Sequence, residues 1–206
     1  MMEKPGSGIT GTFNLINNPI LGRVLFPSSE IQARVAELGK IITADYTGKD
    51  LLLVSVLRGS VVFLTDLIRQ IDLESSIDFM SISTYAGSKS VPATGVVKII
   101  KDIEDPIEGR DVLIVEDIID SGLTISYLAR NLKLRNPNSL EVCTLLDRNV
   151  KRIAEIRIKY AGFTIGDEFV VGYGLDYKQC FRNLDSIYRL NNAVIKKDIE
   201  IITGLQ

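Results

Sequence analysis

The chain has 206 residues, 46% hydrophobic and 24% charged, a balance that suits one globular domain and excludes wholesale disorder. Its 24 Lys and Arg face 26 Asp and Glu, a net charge of -2, so composition forces no basic face towards nucleic acid or a membrane surface. Histidine is absent, which removes Ser-His and Cys-His nucleophilic catalysis and every histidine-ligated metal site.

The opening MMEKPGSGIT carries no apolar leader, and the uncharged stretch from Pro5 to Gly22 is broken by prolines and glycines, so no membrane partner is expected. The two cysteines, Cys143 and Cys180, have no CxxC neighbour, which points to a reducing, cytoplasmic setting. Ile31, Val35, Leu38 and Ile42 share one face of a helix predicted from Ser29 to Thr47, with Ser29 and Gln32 as a capping box. Leu51 to Val56 is apolar on both faces, as a central parallel strand is, and Val61 to Ile71 follows as an amphipathic helix. Strands are predicted over Ile77–Tyr85 and Gly95–Ile100, with a polar loop from Ala86 to Thr94 between them.

Val112 to Val115 is a further buried strand, followed by a short acidic turn, a helix from Leu123 to Leu134, and a strand from Leu140 to Leu146. Alternating strand and helix predict an open α/β domain with a parallel sheet. Beyond Asp147 the rhythm weakens. A helix over Val150–Ile158 and strands at Phe169–Val171 and Ser186–Leu190 are expected in a small subdomain over the sheet's carboxyl edge, shared with residues 1–26. Tyr173 and Tyr177 fall in this part and are assigned to packing.

Ligands of open α/β sheets bind beyond the carboxyl ends of the strands. Three loops leave such ends: Leu57–Ser60, Glu116–Thr124 and Asp147–Asn149. The middle one is the most informative. Ser121, Gly122, Leu123 and Thr124 place free backbone N–H groups and two hydroxyls at a helix N-terminus, an anion site for a phosphate. Glu116 and Asp117 end the strand as adjacent carboxylates, suited to accept from a vicinal diol or to hold a hydrated divalent cation. Phosphate at one end and cis-diol at the other describe a ribose 5-phosphate. The chain has neither a Walker GxxxxGK[ST] loop nor a GxGxxG dinucleotide fingerprint.

Val112 to Thr124 resembles the phosphoribosyl-pyrophosphate motif of type I phosphoribosyltransferases. Leu57-Arg58-Gly59-Ser60, Thr84-Tyr85 and Phe169-Val170-Val171-Gly172-Tyr173-Gly174-Leu175-Asp176, with Phe181-Arg182 after it, are similar to the hypoxanthine-guanine branch. The resemblance implies that family's fold, an open, mostly parallel twisted sheet flanked by helices. It also implies one domain over 1–206, with a core of about 27–147 and a hood from about 1–26 plus 148–190. The reaction implied is transfer of the phosphoribosyl group from phosphoribosyl pyrophosphate to N9 of hypoxanthine or guanine, giving IMP or GMP. The alternative is a regulatory protein that keeps the fold to sense phosphoribosyl pyrophosphate or nucleotides.

By the same resemblance, Asp120 would act as general base or acid near purine N7. Glu116 and Asp117 would hold the ribose hydroxyls and a Mg2+ shell, and Asp176 would coordinate a second Mg2+. Ser121, Gly122, Leu123 and Thr124 would take the 5-phosphate. Phe169 would stack on the base and the Val170 backbone would pair with its edge. The Leu57–Arg58 peptide would be cis and, with Gly59, face pyrophosphate, which Arg182 would also reach. Thr84 and Tyr85 would belong to a closing loop, and the chain would form a homodimer or homotetramer. Two positions depart from the pattern: the family commonly has lysine at Arg58 and at Arg148. At Arg148 that lysine donates to the purine 6-oxo group, and a planar guanidinium is not an equivalent donor.

Overall fold

The computed structural model describes residues 18–84, 97–148, 152–191 and 193. Tyr85 and the loop 86–94, expected to close over the site, lie outside the described residues, as do residues 1–17 of the expected hood. Six strands form one sheet in the order β4-β3-β2-β5-β6-β7. These are β2 (Leu51–Leu57), β3 (Ser75–Thr84), β4 (Val97–Lys101), β5 (Asp111–Ile119), β6 (Ser139–Arg148) and β7 (Tyr160–Ile165). All neighbours run parallel except β3 and β4.

The apolar run of β2 explains its central place. Leu51 and Leu53 enter the core beneath α1 (Ser28–Tyr46) and α2 (Val61–Ile68), whereas Leu52, Val54 and Val56 enter the core beneath α3 (Leu123–Lys133). A strand buried on both faces shows no polar alternation. Helix α1 buries Ile31, Val35, Leu38, Ile42 and Tyr46, one stripe at helical spacing. Its expected capping box does not form. The helix begins one residue early behind Pro27 without a side-chain cap, and Gln32 donates instead to Asp66 Oδ2 of α2 at 2.7 Å.

A second, antiparallel sheet has the order β1-β9-β8, from Leu21–Phe26, Ile187–Leu190 and Val170–Val171. It joins the first and last described parts of the chain. Val170, Tyr173, Leu175 and Ile187 enter the α1/α2 core, so this sheet shares the main hydrophobic interior.

Two further expectations fail. The acidic turn after Val115 is strand: β5 continues to Ile119, because Glu116, Ile118 and Ile119 pair with Thr144, Leu146 and Asp147 of β6. Of the helix expected over Val150–Ile158, residues 150 and 151 lie outside the described residues and 152–158 are not helical. The N–H groups of Ile153 and Ala154 donate across to the Ser121 carbonyl, both at 3.1 Å, which withdraws them from any helical ladder. No described helix is long and apolar enough to cross a membrane.

Candidate functional site

The motif residues gather where β2, β5 and β6 end side by side. Glu116, Asp117, Ile118, Ile119, Asp120, Ser121, Gly122 and Thr124 line a cleft of about 170 Å³. A larger cleft of about 530 Å³ runs along α3 past Arg130, Lys133 and Arg157, and contains none of the motif residues. Size alone does not make it the site.

Helix α3 opens towards the smaller cleft. Its N-cap is Gly122 at φ +79°, with no side-chain cap, so the positive end of the helix is left for an anion. Glycine is needed twice over. The conformation is left-handed, and a Cβ would stand 2.8 Å from Ile156 Cδ1 and 2.9 Å from the Ala154 carbonyl oxygen. Ala154 and Ile156 of the non-helical segment thus form the wall against which the Ser121–Gly122 turn packs.

The Leu57–Arg58 peptide is cis, as the resemblance implied. Gly59 beside it had no local signal beyond its type, yet the Asp117 carboxylate occupies the place a Cβ would take. Gly174 abuts the Gly59 carbonyl oxygen in the same way. Strand β5, the 58–60 loop and the second sheet therefore meet at Gly59. Arg182 approaches from that sheet, 2.5 Å from Asp176 Oδ1 and donating to the Gly174 carbonyl at 2.7 Å. Gln179, which sequence patterns did not single out, accepts from both Arg58 and Arg182 at 3.3 Å. It lies on a turn that only the second sheet brings here.

Two carboxylates in the cleft are poor in positive charge. Burial, then the neighbouring Asp117, push the Glu116 carboxyl well above the ordinary range. Burial pushes Asp117 up to about 6, against the Ile118 N–H and the more distant Arg182, which both favour its charge. A raised carboxyl contributes stability below its unfolded pKa, and loses it as pH rises through the folded value near 6. Asp117→Asn should therefore be more stable than wild type at pH 7.5, by on the order of 2 kcal/mol, with the gap closing towards pH 4.5. Urea unfolding at the two pH values measures this; a pH-independent gap would refute it.

Beside the cleft, Asp120 meets Arg148, at the end of β6. It is 8% exposed, donates through Nη1 to Asp120 Oδ2 at 3.3 Å and through Nη2 to the Glu168 carbonyl at 2.9 Å. Its guanidinium carbon lies 5.7 Å from the centre of the Phe169 ring, which is half exposed. Its Nε is buried and has no partner among the described residues. Asp120, an open aromatic face and an incompletely satisfied donor thus stand together, an arrangement suited to a flat heterocycle carrying an acceptor. The Val170 backbone follows directly in β8. Thr84 closes β3, and its side chain is outside the described residues.

Among the described residues, no three Asp, Glu or Cys side chains stand close enough to chelate a metal directly. Glu116, Asp117 and Asp176 are not a closed ligand cage. Glu116 and Asp117, buried and short of positive charge, do match a magnesium ion that keeps most of its water, whereas Asp176 is already paired with Arg182.

Residues 26–178 match the family model described as phosphoribosyl transferase domain. The chain is 51% identical over 180 residues to a hypoxanthine-guanine phosphoribosyltransferase of Mycobacterium avium, covering 84% of this chain and 88% of that protein. It is 49% identical over 166 residues to the hypoxanthine phosphoribosyltransferase of Escherichia coli strain K12, covering 80% and 92%. A crystal structure of a Staphylococcus aureus hypoxanthine phosphoribosyltransferase superposes with a TM-score of 0.82 at 46% identity, covering 89% of this chain and 98% of that one.

Proposed function

The chain belongs to the phosphoribosyl transferase family, and on that premise we propose that it is a purine salvage enzyme, transferring the phosphoribosyl group of phosphoribosyl pyrophosphate to N9 of hypoxanthine or guanine with release of pyrophosphate. The observation that carries this reading is the juxtaposition of Arg148, Asp120 and Phe169 beside the uncapped start of α3. The relatives named for hypoxanthine and guanine transfer support the same branch.

In this reading N9 of the base attacks the anomeric carbon as the bond to pyrophosphate breaks. Positive charge develops on the ribose and negative charge on the leaving group. Glu116 and Asp117 orient the ribose hydroxyls and favour the first charge, while Arg182 and the 58–60 backbone meet the second. Ser121, Gly122, Leu123 and Thr124 fix the 5-phosphate, and Asp120 exchanges the proton at purine N7. The base itself is the nucleophile, so the lack of histidine costs the reaction nothing.

Glu116, Asp117 and Asp176 are the residues that would hold Mg2+, which would supply charge neutralisation of the leaving group. Turnover should vanish in excess chelator and return with added Mg2+; full activity in chelator would refute the requirement. The production of IMP from hypoxanthine, followed by absorbance, tests the reaction itself.

Three coarser expectations belong to the same proposal. The core of about 27–147 carries the phosphate loop, and a hood of about 1–26 with 148–190 carries the base pocket. Cys143 is buried and Cys180 exposed, both free thiols, which suits a cytoplasmic setting. The chain associates as a homodimer or homotetramer, which sedimentation would read.

A further inference from the structure

Tyr173 is only 3% exposed, yet its backbone sits at φ +50°, in the left-handed region that bulky side chains rarely adopt. Its hydroxyl donates to Asp66 Oδ2 at 2.7 Å, and Gln32 of α1 donates to the same oxygen. Burial, then the Asp66 carboxylate, push the phenol far up, so it remains a donor throughout the physiological range. Asp66 lies on α2, the helix that starts at Val61, directly after the Arg58–Ser60 loop.

The next residue, Gly174, has φ +95°, and its α-carbon stands so close to the Gly59 carbonyl oxygen that a Cβ would collide with it. Gly174 is also tied to Arg182 in both directions. Its N–H donates to the Arg182 carbonyl at 2.9 Å, and its carbonyl accepts from Arg182 Nη1 at 2.7 Å. Gly59 in turn leaves the space that the Asp117 carboxylate fills. One phenol–carboxylate bond thus connects α2, the 58–60 loop, Arg182 and Asp117, and none of these contacts involves Phe169 or Arg148.

We infer that Tyr173 is a positioning residue for the pyrophosphate end of the site: tied to Asp66, it seats Gly174 against Gly59 and so sets the spacing between the 58–60 loop and Arg182. The inference rests on the transfer reaction proposed above. It extends the role of the tyrosine from packing to control of one substrate. Because the contacts run only to the pyrophosphate side, its loss should separate the two substrates.

Tyr173→Phe removes the hydroxyl alone, and Asp66→Ala removes its acceptor, a side chain 21% exposed on α2. Each should raise KM for phosphoribosyl pyrophosphate roughly tenfold, the scale of one hydrogen bond to a charged acceptor. KM for hypoxanthine and kcat should change little. Asp66→Ala also gives up Gln32 and the 3.7 Å approach of Arg69, so the double variant should be no worse than Asp66→Ala alone, in which the phenol–carboxylate bond is already gone. Asp66→Asn, which keeps an acceptor, should restore much of the affinity. A fall in thermal midpoint with KM for phosphoribosyl pyrophosphate unmoved would overturn the inference, and so would an equal rise in both KM values. No turnover by the wild type would overturn the transfer reaction as well, whereas wild-type turnover with unmoved variants removes the positioning role alone.

Discussion

Asp120→Asn is expected to lower turnover by about 10²–10⁴-fold, the usual worth of a positioned acid–base group. Binding of phosphoribosyl pyrophosphate should stay within a few-fold of wild type. The separation follows from where the three motif acids stand. Glu116 is buried and the Asp117 carboxylate is packed against Gly59, towards the pyrophosphate side. Asp120 lies past the end of β5, its side chain 58% exposed, and its recorded partner is Arg148 on the base side. Asparagine preserves size and can still accept from the guanidinium, but it cannot take up a proton. Steady-state kinetics with calorimetric binding of phosphoribosyl pyrophosphate reads both quantities; turnover close to wild type would refute the role of Asp120.

Arg148→Ala should reduce kcat/KM for hypoxanthine and guanine roughly 10- to 100-fold, as expected for a lost charged donor, and should raise the base's KM more than that of phosphoribosyl pyrophosphate. The guanidinium can only donate. A 6-oxo group matches it, whereas a 6-amino group sets donor against donor and leaves buried N–H groups unpaired. Adenine should therefore be used at least about 10²-fold less efficiently than hypoxanthine. Arg148→Lys, which keeps a charged donor, should keep most activity. It gives up the bond to the Glu168 carbonyl and the approach to Phe169, so a modest loss of stability should accompany it. Kinetics of the three proteins on hypoxanthine, guanine, xanthine and adenine decide the matter. Equal use of adenine and hypoxanthine by the wild type, or an unaffected Arg148→Ala, would mean that another residue reads the base.

The central strands and the start of α3 were legible because their causes are local. A run such as Leu51–Val56, apolar but for Ser55, reads as buried on both faces, and Ser121-Gly122-Leu123-Thr124 ahead of a helical stripe marks a helix start. The Leu57–Arg58, Phe169–Asp176 and Arg182 motifs were found through resemblance, and the structure carries them to one end of the sheet. Arg148 stood out in the chain as a departure. Its bond to Asp120 and its approach to Phe169 appeared only when the ends of β5 and β6 were set side by side.

What the chain determined by itself was therefore the alternating α/β order, the glycine-marked start of α3 and the types of groups available to the chemistry. Partners distant in sequence decided the rest. Glu116 to Ile119 are strand rather than turn because β6 offers a ladder to pair with, and no periodicity within four residues reports that. Residues 152–158 lose helix because the Ser121 carbonyl competes for their N–H groups. Strand β1 exists because β9, at the far end of the chain, supplies its edge. Gly59 leaves the space that the Asp117 carboxylate fills, and Tyr173 finds its acceptor 107 residues away. Backbone and buried polar groups must be satisfied somewhere, and only the packed fold determines where.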